Sequence, residues 1–460
     1  RNTKIISNNM KKILNNKGKY LISPIMAHSV KNKSNDKSAV VKNPIPPTKQ
    51  QASEFEKHLY IKHYTNGNLE LYNLLADDIV VRDISFNGKS FTDKEIVVPS
   101  YLSNPDPVII KTQYKGIQDN MFTVTTQYQN FDRTVNNEIT LISDGIKNPL
   151  SLNTAHEFVF INKLDDKTYK IKQGNWTVDK PIIVEGDLHI SPGVNLQFSK
   201  DSYLIVKGSL TAVGNKENPI TLKPVLDSWK GVYVLNAINK SQLKDVYISN
   251  ISALEDELLK LTGGITFYKS DVDFENVRIN DVKAEDAINI VESSFSLNSV
   301  IINNTISDGL DSDFSKGTVQ YSKFSNIGGD ALDFSGSHVF INQTKAVNVK
   351  DKAVSAGESS TLNIENSNFK NIGVGVASKD GSSVTMSNSV ISNYELHAAM
   401  SYIKKDFYNT MTDININNSS ISDGSAYLRQ KGTHMIVNNV DIPESEVNIK
   451  KLYKTNVMAK

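Results

Sequence analysis

An aliphatic position recurs along the chain every 22 residues: Ile288, Leu310, Leu332, Val354 and Val376. The same short frame returns around each. Asp286-Ala287-Ile288-Asn289 becomes Asp308-Gly309-Leu310-Asp311, then Asp330-Ala331-Leu332-Asp333. Lys352-Ala353-Val354-Ser355 and Val374-Gly375-Val376-Ala377 follow. A fixed short period predicts a solenoid in which each unit is one coil. Apolar and polar positions alternate within the frame, which predicts a strand with one buried face. The aliphatic residues then form one buried stack. Asn289, Asp311, Asp333, Ser355 and Ala377 are expected to face outward in a column of their own. Asp286, Asp308, Asp330 and Lys352 form a second column at the corner before it. Asp313 and Lys379 share a third, and Glu292, Glu358 and Asp380 lie in a fourth near the following turn.

A second register has nearly the same period. An apolar residue, any residue, then Asn or Asp recurs at Ile248-Ser249-Asn250, Ile279-Asn280-Asp281, Ile302-Asn303-Asn304 and Phe324-Ser325-Asn326. It continues at Ala346-Val347-Asn348, Phe369-Lys370-Asn371, Ile391-Ser392-Asn393 and Ile421-Ser422-Asp423. Asn tolerates the left-handed backbone of a tight bend, and stacked amides can hydrogen-bond from coil to coil.

The pattern differs upstream. Residues 1–51 end in Asn43-Pro44-Ile45-Pro46-Pro47, a stiff linker signal. From 52 to 160, Leu69 to Tyr72, Ile79 to Val81 and Phe122 to Thr125 predict strands of a small all-β, sandwich-like domain. The solenoid is expected over 165–460, with less regular first coils that cap its core. Trp176 and Trp229 belong to that cap and core. Residues 253–260 (ALEDELLK) predict a helix-like insertion.

Composition sharpens this picture in three places. The 460 residues contain no cysteine, which excludes disulfides and thiolate chemistry. No apolar run approaches the roughly 20 residues that cross a bilayer. The formal net charge of +1 conceals a basic tail, since residues 1–51 hold eleven Lys or Arg against one acid, Asp36. The tail lacks aromatic interleaving, so it reads as a solvated linker, and no nucleic-acid partner is expected. The chain opens on Arg1 with no signal peptide in view, and an upstream domain is expected to precede it.

The Asn register resembles the internal asparagine ladder of right-handed parallel β-helices, the pectate-lyase-like superfamily, over roughly 165–450. Gly263 to Tyr268, Glu285 to Asn289, Gly329 to Gly336, Lys352 to Glu358 and Ala377 to Asp380 together resemble a narrower group. This is the β-helix module that follows a spore-coat kinase-like (CotH) domain in some bacterial surface proteins. The resemblance implies an extracellular or cell-surface protein that binds an anionic polysaccharide. The fold also hosts non-catalytic spikes and adhesins, so a structural or adhesive solenoid stands as the alternative.

The acidic columns carry the candidate chemistry. Coils stack about 4.8 Å apart, and two carboxylates at that spacing repel by about 3 kcal/mol at an effective dielectric near 20. Three remedies exist: a hard cation such as calcium, which takes six to eight oxygen ligands; Lys352 as counter-ion; or a shared proton. The expected calcium ligands are Asp286, Asp308, Asp311, Asp330 and Asp333. The resemblance implies that a lyase or epimerase would use a lysine to remove the proton next to a uronate carboxylate. Lys352 is the candidate base, with Lys379 second. A hydrolase would instead draw two carboxylates from Asp311, Asp313, Asp330 and Asp333. Sugar contacts are expected from Asn289, Asp313, Glu358, Asp380, Tyr394 and Lys404, with Tyr394, Tyr402, Phe407 and Tyr408 as an aromatic wall. One departure stands out. The acidic columns follow the Asn turn directly, whereas the usual pectate-lyase groove lies on the next sheet round.

Overall fold

A computed structural model of the chain describes residues 59–73, 78–92, 94–99, 107–115, 122–128, 134–137, 139–142, 150, 152–255, 260–261, 263–405, 408, 411–422 and 426–458. The basic tail 1–51, Asp406, Phe407 and Asp423 lie outside the described residues. The chain divides into two compact units, 1–148 and 149–460.

The first unit is all β where it is described. One sheet joins strands 59–64, 68–73, 108–111 and 139–142, and another joins 79–86, 89–90, 96–98, 122–128 and 134–137. Alternation drives both, for Leu69, Leu71, Ile79, Val81 and Val124 are buried while polar neighbours point away. The second unit starts earlier than the sequence pattern implies. Ala155, Phe158 and Phe160 pack into the solenoid core rather than into the domain before it.

The second unit is a parallel β-solenoid of coils about 22 residues long. Each regular coil has three strands, as in Asp286–Val291, Ser294–Asn298 and Ile301–Thr305. The next coil repeats them as Asp308–Asp313, Lys316–Gln320 and Lys323–Ile327. Like stacks on like because the first strands of successive coils pair parallel and in register. Ile288 pairs with Leu310, Leu310 with Leu332, Leu332 with Val354 and Val354 with Val376. All five are buried, as are Ile302, Phe324, Phe369 and Ile391 in the third-strand stack. Burying such a side chain stabilises by about 1.5–3 kcal/mol relative to exposure. Trp229 is fully buried and stacks on Phe198 with ring centroids 4.0 Å apart; Trp176 stacks on Phe160 at 5.3 Å.

The Asn turns form as the sequence predicts, with one correction. Asn304, Asn326, Asn348, Asn371 and Asn393 have φ between 52° and 61°. Asn348 Nδ2 donates to Asn326 Oδ1, Asn371 Nδ2 to Asn348 Oδ1 and Asn393 Nδ2 to Asn371 Oδ1, at 2.9, 2.9 and 2.6 Å. These amides are exposed, so the ladder is not internal. The internal ladder is made of serine. The N–H groups of Ser270, Ser293, Ser315, Ser337 and Ser360 donate to the hydroxyls of Ser293, Ser315, Ser337, Ser360 and Ser382 at 2.8–3.1 Å, and all six residues are buried. A short hydroxyl can enter the turn interior and satisfy a backbone N–H there, whereas the larger amide keeps to the water side.

The segment at 253–260 is also corrected. Leu254–Glu255 pairs antiparallel with Lys260–Leu261, so the insertion is a β-hairpin where described. Burial of Leu254 and Leu261, which pair directly, overrides the helix propensity of the stretch.

The two ladders differ in worth. Ser337→Ala leaves the buried Ser315 N–H without its acceptor and should cost about 1–3 kcal/mol. Asn348→Gly keeps the left-handed turn and should cost less, with urea unfolding of the full chain followed by circular dichroism as the measure.

Candidate functional site

The first strand of each coil carries the acidic columns, and its alternation is as expected. Ile288, Leu310, Leu332 and Val354 enter the core, and Asn289, Asp311, Asp333 and Ser355 project from the other side of the sheet. The expectation that this outer side meets solvent is not met. Asp286, Asn289, Asp308, Asp311, Asp313 and Asp333 have no exposed surface, and Asp330 and Lys352 have 1% each.

Later chain covers part of this face. Val457 and Met458 bury themselves against Val374, Ala377, Met400 and Tyr402. The Tyr402 and Tyr453 hydroxyls lie 2.7 Å apart. Asp380 Oδ1 accepts the N–H groups of Lys404 and Lys405, both at 2.6 Å, and the Lys405 ammonium pairs with Glu358. Lys404 stays exposed, with Nζ 4.3 Å above the Tyr453 ring. Gly373 makes the approach of the C-terminal segment possible, because a Cβ there would overlap the Val457 side chain.

Under the cover the carboxylates fold back onto the backbone. Asp308 Oδ1 accepts the Asp330 N–H at 2.8 Å, and Asp330 Oδ1 accepts the Lys352 N–H at 2.9 Å. Gly329 allows the first bond, since a Cβ there would overlap Asp308 Oδ1. Two groups of oxygens result, Asp286–Asp308–Asp311 and Asp308–Asp330–Asp333, with the atoms of each within 4.8 Å of one another. Both are all-oxygen sets suited to a hard cation.

The lysines serve this cluster as counter-ions. Lys352 Nζ lies 3.1 Å from Asp330 Oδ1 and 2.7 Å from Asp351 Oδ2, with all three side chains buried. Lys379 Nζ donates to Ser355 Oγ at 2.8 Å and lies 3.9 Å from Asp333. Of the two roles the sequence leaves open for Lys352, this geometry matches the counter-ion, since a base must reach substrate and this ammonium is enclosed.

The expected sugar contacts differ in the same way. Asn289, Asp313, Glu358 and Asp380 are buried. Tyr394 packs against the core, and its hydroxyl accepts the Ala426 N–H at 3.0 Å. Tyr402 is fully buried, and the Tyr408 hydroxyl is enclosed beside Glu358, Asp380 and Asp313. Burial pushes the Tyr408 and Tyr402 phenols well above their ordinary range. Burial would raise Tyr453 too, but Lys379, Lys404, Lys352 and the bond from Tyr402 hold it below its ordinary value. Sequence reasoning missed Asp351, the second partner of Lys352, and Tyr453. Asp351 stands next to Lys352 in the chain and was visible there. Tyr453 joins only when the C-terminal segment folds back.

The next sheet round is open. The second strands of three coils line a trough of about 510 Å³ with Lys316, Thr318, His338, Phe340, Thr361 and Asn363. Lys316, His338 and Thr361 are in register on adjacent coils, as are Thr318, Phe340 and Asn363. Further along the same sheet, His434 Nδ1 and Asp413 Oδ1 are 2.6 Å apart. The trough lies on the sheet that follows the acidic columns in each coil.

Residues 244–431 match the pectate lyase family model, a stretch that includes both the acidic columns and the trough. These coils form a parallel β-helix and are similar to that family over the matched stretch. Solved structures that the chain resembles include the periplasmic alginate epimerase AlgG, at 9% identity over 62% of this chain and 82% of that one, with a TM-score of 0.31. An alginate lyase from Paenibacillus sp. is 12% identical over 52% and 91%, with a TM-score of 0.27. The catalytic domain of GH87 α-1,3-glucanase in complex with nigerose is 12% identical over 81% and 90%, with a TM-score of 0.32. No curated protein matches the sequence.

The counter-ion role of Lys352 has a measurable consequence. Lys352→Met strands two buried carboxylates and should lower stability by about 3–5 kcal/mol. Adding Asp330→Asn should recover part of that loss in denaturant unfolding. An unchanged midpoint for the single variant would refute the role.

Proposed function

We propose that the pectate-lyase-like coils bind an anionic polysaccharide along the open trough of the second sheet, outside the cell or at its surface. The observation that carries this reading is the trough itself, which lies within the matched coils and stacks Lys316 and His338 beside Phe340. A polymer needs an accessible, elongated surface, and the acidic columns are enclosed. Lys316 supplies the positive charge for a uronate carboxylate, and Phe340 an apolar face for a sugar ring, the usual division of labour in a binding cleft.

If the chain turns over its ligand, lyase or epimerase chemistry suits these groups. A base removes the proton next to the carboxylate. In a lyase the electron pair left behind expels the glycosidic oxygen, which takes up a proton. In an epimerase a proton returns to the same carbon from the opposite face. Histidine is the side chain that exchanges protons near neutral pH, so His338 replaces the enclosed Lys352 as the favoured base. Calcium enters as a resident of the acidic columns, one sheet away, rather than as a bridge to the sugar.

Affinity electrophoresis of the full chain through polygalacturonate, alginate and a neutral glucan tests the reading. Retardation is expected in a polyuronate and not in the glucan. Phe340→Ala and Lys316→Ala should each weaken it at least about tenfold, given one lost hot-spot contact of 1.4 kcal/mol or more. For an enzyme, His338→Ala should abolish release of unsaturated or epimerised product while retaining binding. Absence of polyuronate binding would instead favour the structural or adhesive solenoid.

A further inference from the structure

The two acidic groups are not equivalent. Asp330 and Asp333 already have lysines within the protein: Lys352 at 3.1 Å from one and Lys379 at 3.9 Å from the other. At the other end of the columns neutral oxygen donors stand in register with the carboxylates. Asn289 stands in parallel register with Asp311, three residues along its strand from Asp286. Its carboxamide is fully buried, and neither its oxygen nor its nitrogen has a hydrogen-bond partner. Thr266, in register with Asn289 on the preceding coil, is equally buried, and its hydroxyl likewise has none. An unsatisfied buried amide costs on the order of 1–3 kcal/mol, so this arrangement calls for a ligand. The two side chains lie close together on a glycine of the Asp286 column. Gly263 pairs with Asp286, and a Cβ at that position would meet both Thr266 Oγ1 and Asn289 Cβ.

We infer that this end of the columns is a binding site for one divalent cation, held by Asp286, Asp308 and Asp311 with Asn289 as neutral ligand. The donors are oxygens throughout, which selects calcium and disfavours zinc or copper. Three carboxylates bring more than enough charge to balance a divalent ion. The columns therefore use two solutions to one problem, a metal ion at the Asp286 end and lysines at the Asp330 end. The ion is enclosed in the protein and organises the coils, and the trough lies on another sheet. This inference rests on the calcium part of the proposed function and not on the polysaccharide part.

The test needs no sugar. The full chain is dialysed against chelator, its metal content is measured, and calcium is titrated back by calorimetry and by thermal melting. One calcium per chain is expected, with a rise in melting temperature on addition. Asp286→Asn with Asp311→Asn should abolish both. Asn289→Leu should weaken binding at least about tenfold, and should be tested even if the double variant fails to fold. Asp333→Asn should keep one calcium per chain. A wild-type chain that neither carries a divalent ion nor binds calcium or magnesium at millimolar concentration overturns the site. So does loss of binding in Asp333→Asn with binding kept in the Asp286/Asp311 variant. Failure of polyuronate binding leaves these readouts untouched, so the two ideas fall separately.

Discussion

The interaction on which the rest of this structure depends is the parallel pairing of one coil with the next, about 4.8 Å away. Because strands of successive coils pair in parallel, residues of one column meet their counterparts one coil on. This single rule stacks Ile288 on Leu310 and Leu332 in the core, Ser293 on Ser315 and Ser337 in one turn, and Asn326 on Asn348 in another. Apolar and hydrogen-bonding residues gain from such repetition, since each copy is the partner the previous one needs. Charged residues do not, since each copy repels the last.

The acidic columns are where that rule becomes costly. Asp308 and Asp330 offset part of the cost by accepting backbone N–H groups from the next coil, and Gly329 makes room for the first of these bonds. Lys352 and Lys379 offset more at one end. Burying ions is expensive even when they are paired, so a sealed polar face of this kind is a specified feature and not a by-product of packing. The open sheet beside it has the opposite character. Lys316, His338 and Phe340 stay accessible there. The two faces of the coil thus differ in kind, one enclosed and internally paired, the other open.

Much of this was legible in the chain because a solenoid writes its geometry as a period. The 22-residue repeat, the left-handed Asn turns, the inward and outward positions and the pairing of Lys352 with Asp330 all follow from local pattern and strand alternation. Even the serine ladder and Asp351 stand in the sequence at the right spacing. Residues 253–260 show the limit of local reading: their composition favours helix, yet two leucines find burial as a hairpin.

The sequence by itself determined the coil, its stacking and the composition of each column. Only the tertiary structure decided which column meets solvent. Strand alternation says that Asp311 and Asp333 leave the core, and that is correct. It cannot say that Tyr453, Val457 and Met458 return from the far end of the chain to enclose part of the same face. That contact joins segments with no common period, so it depends on apolar burial between distant residues and leaves no repeat to read.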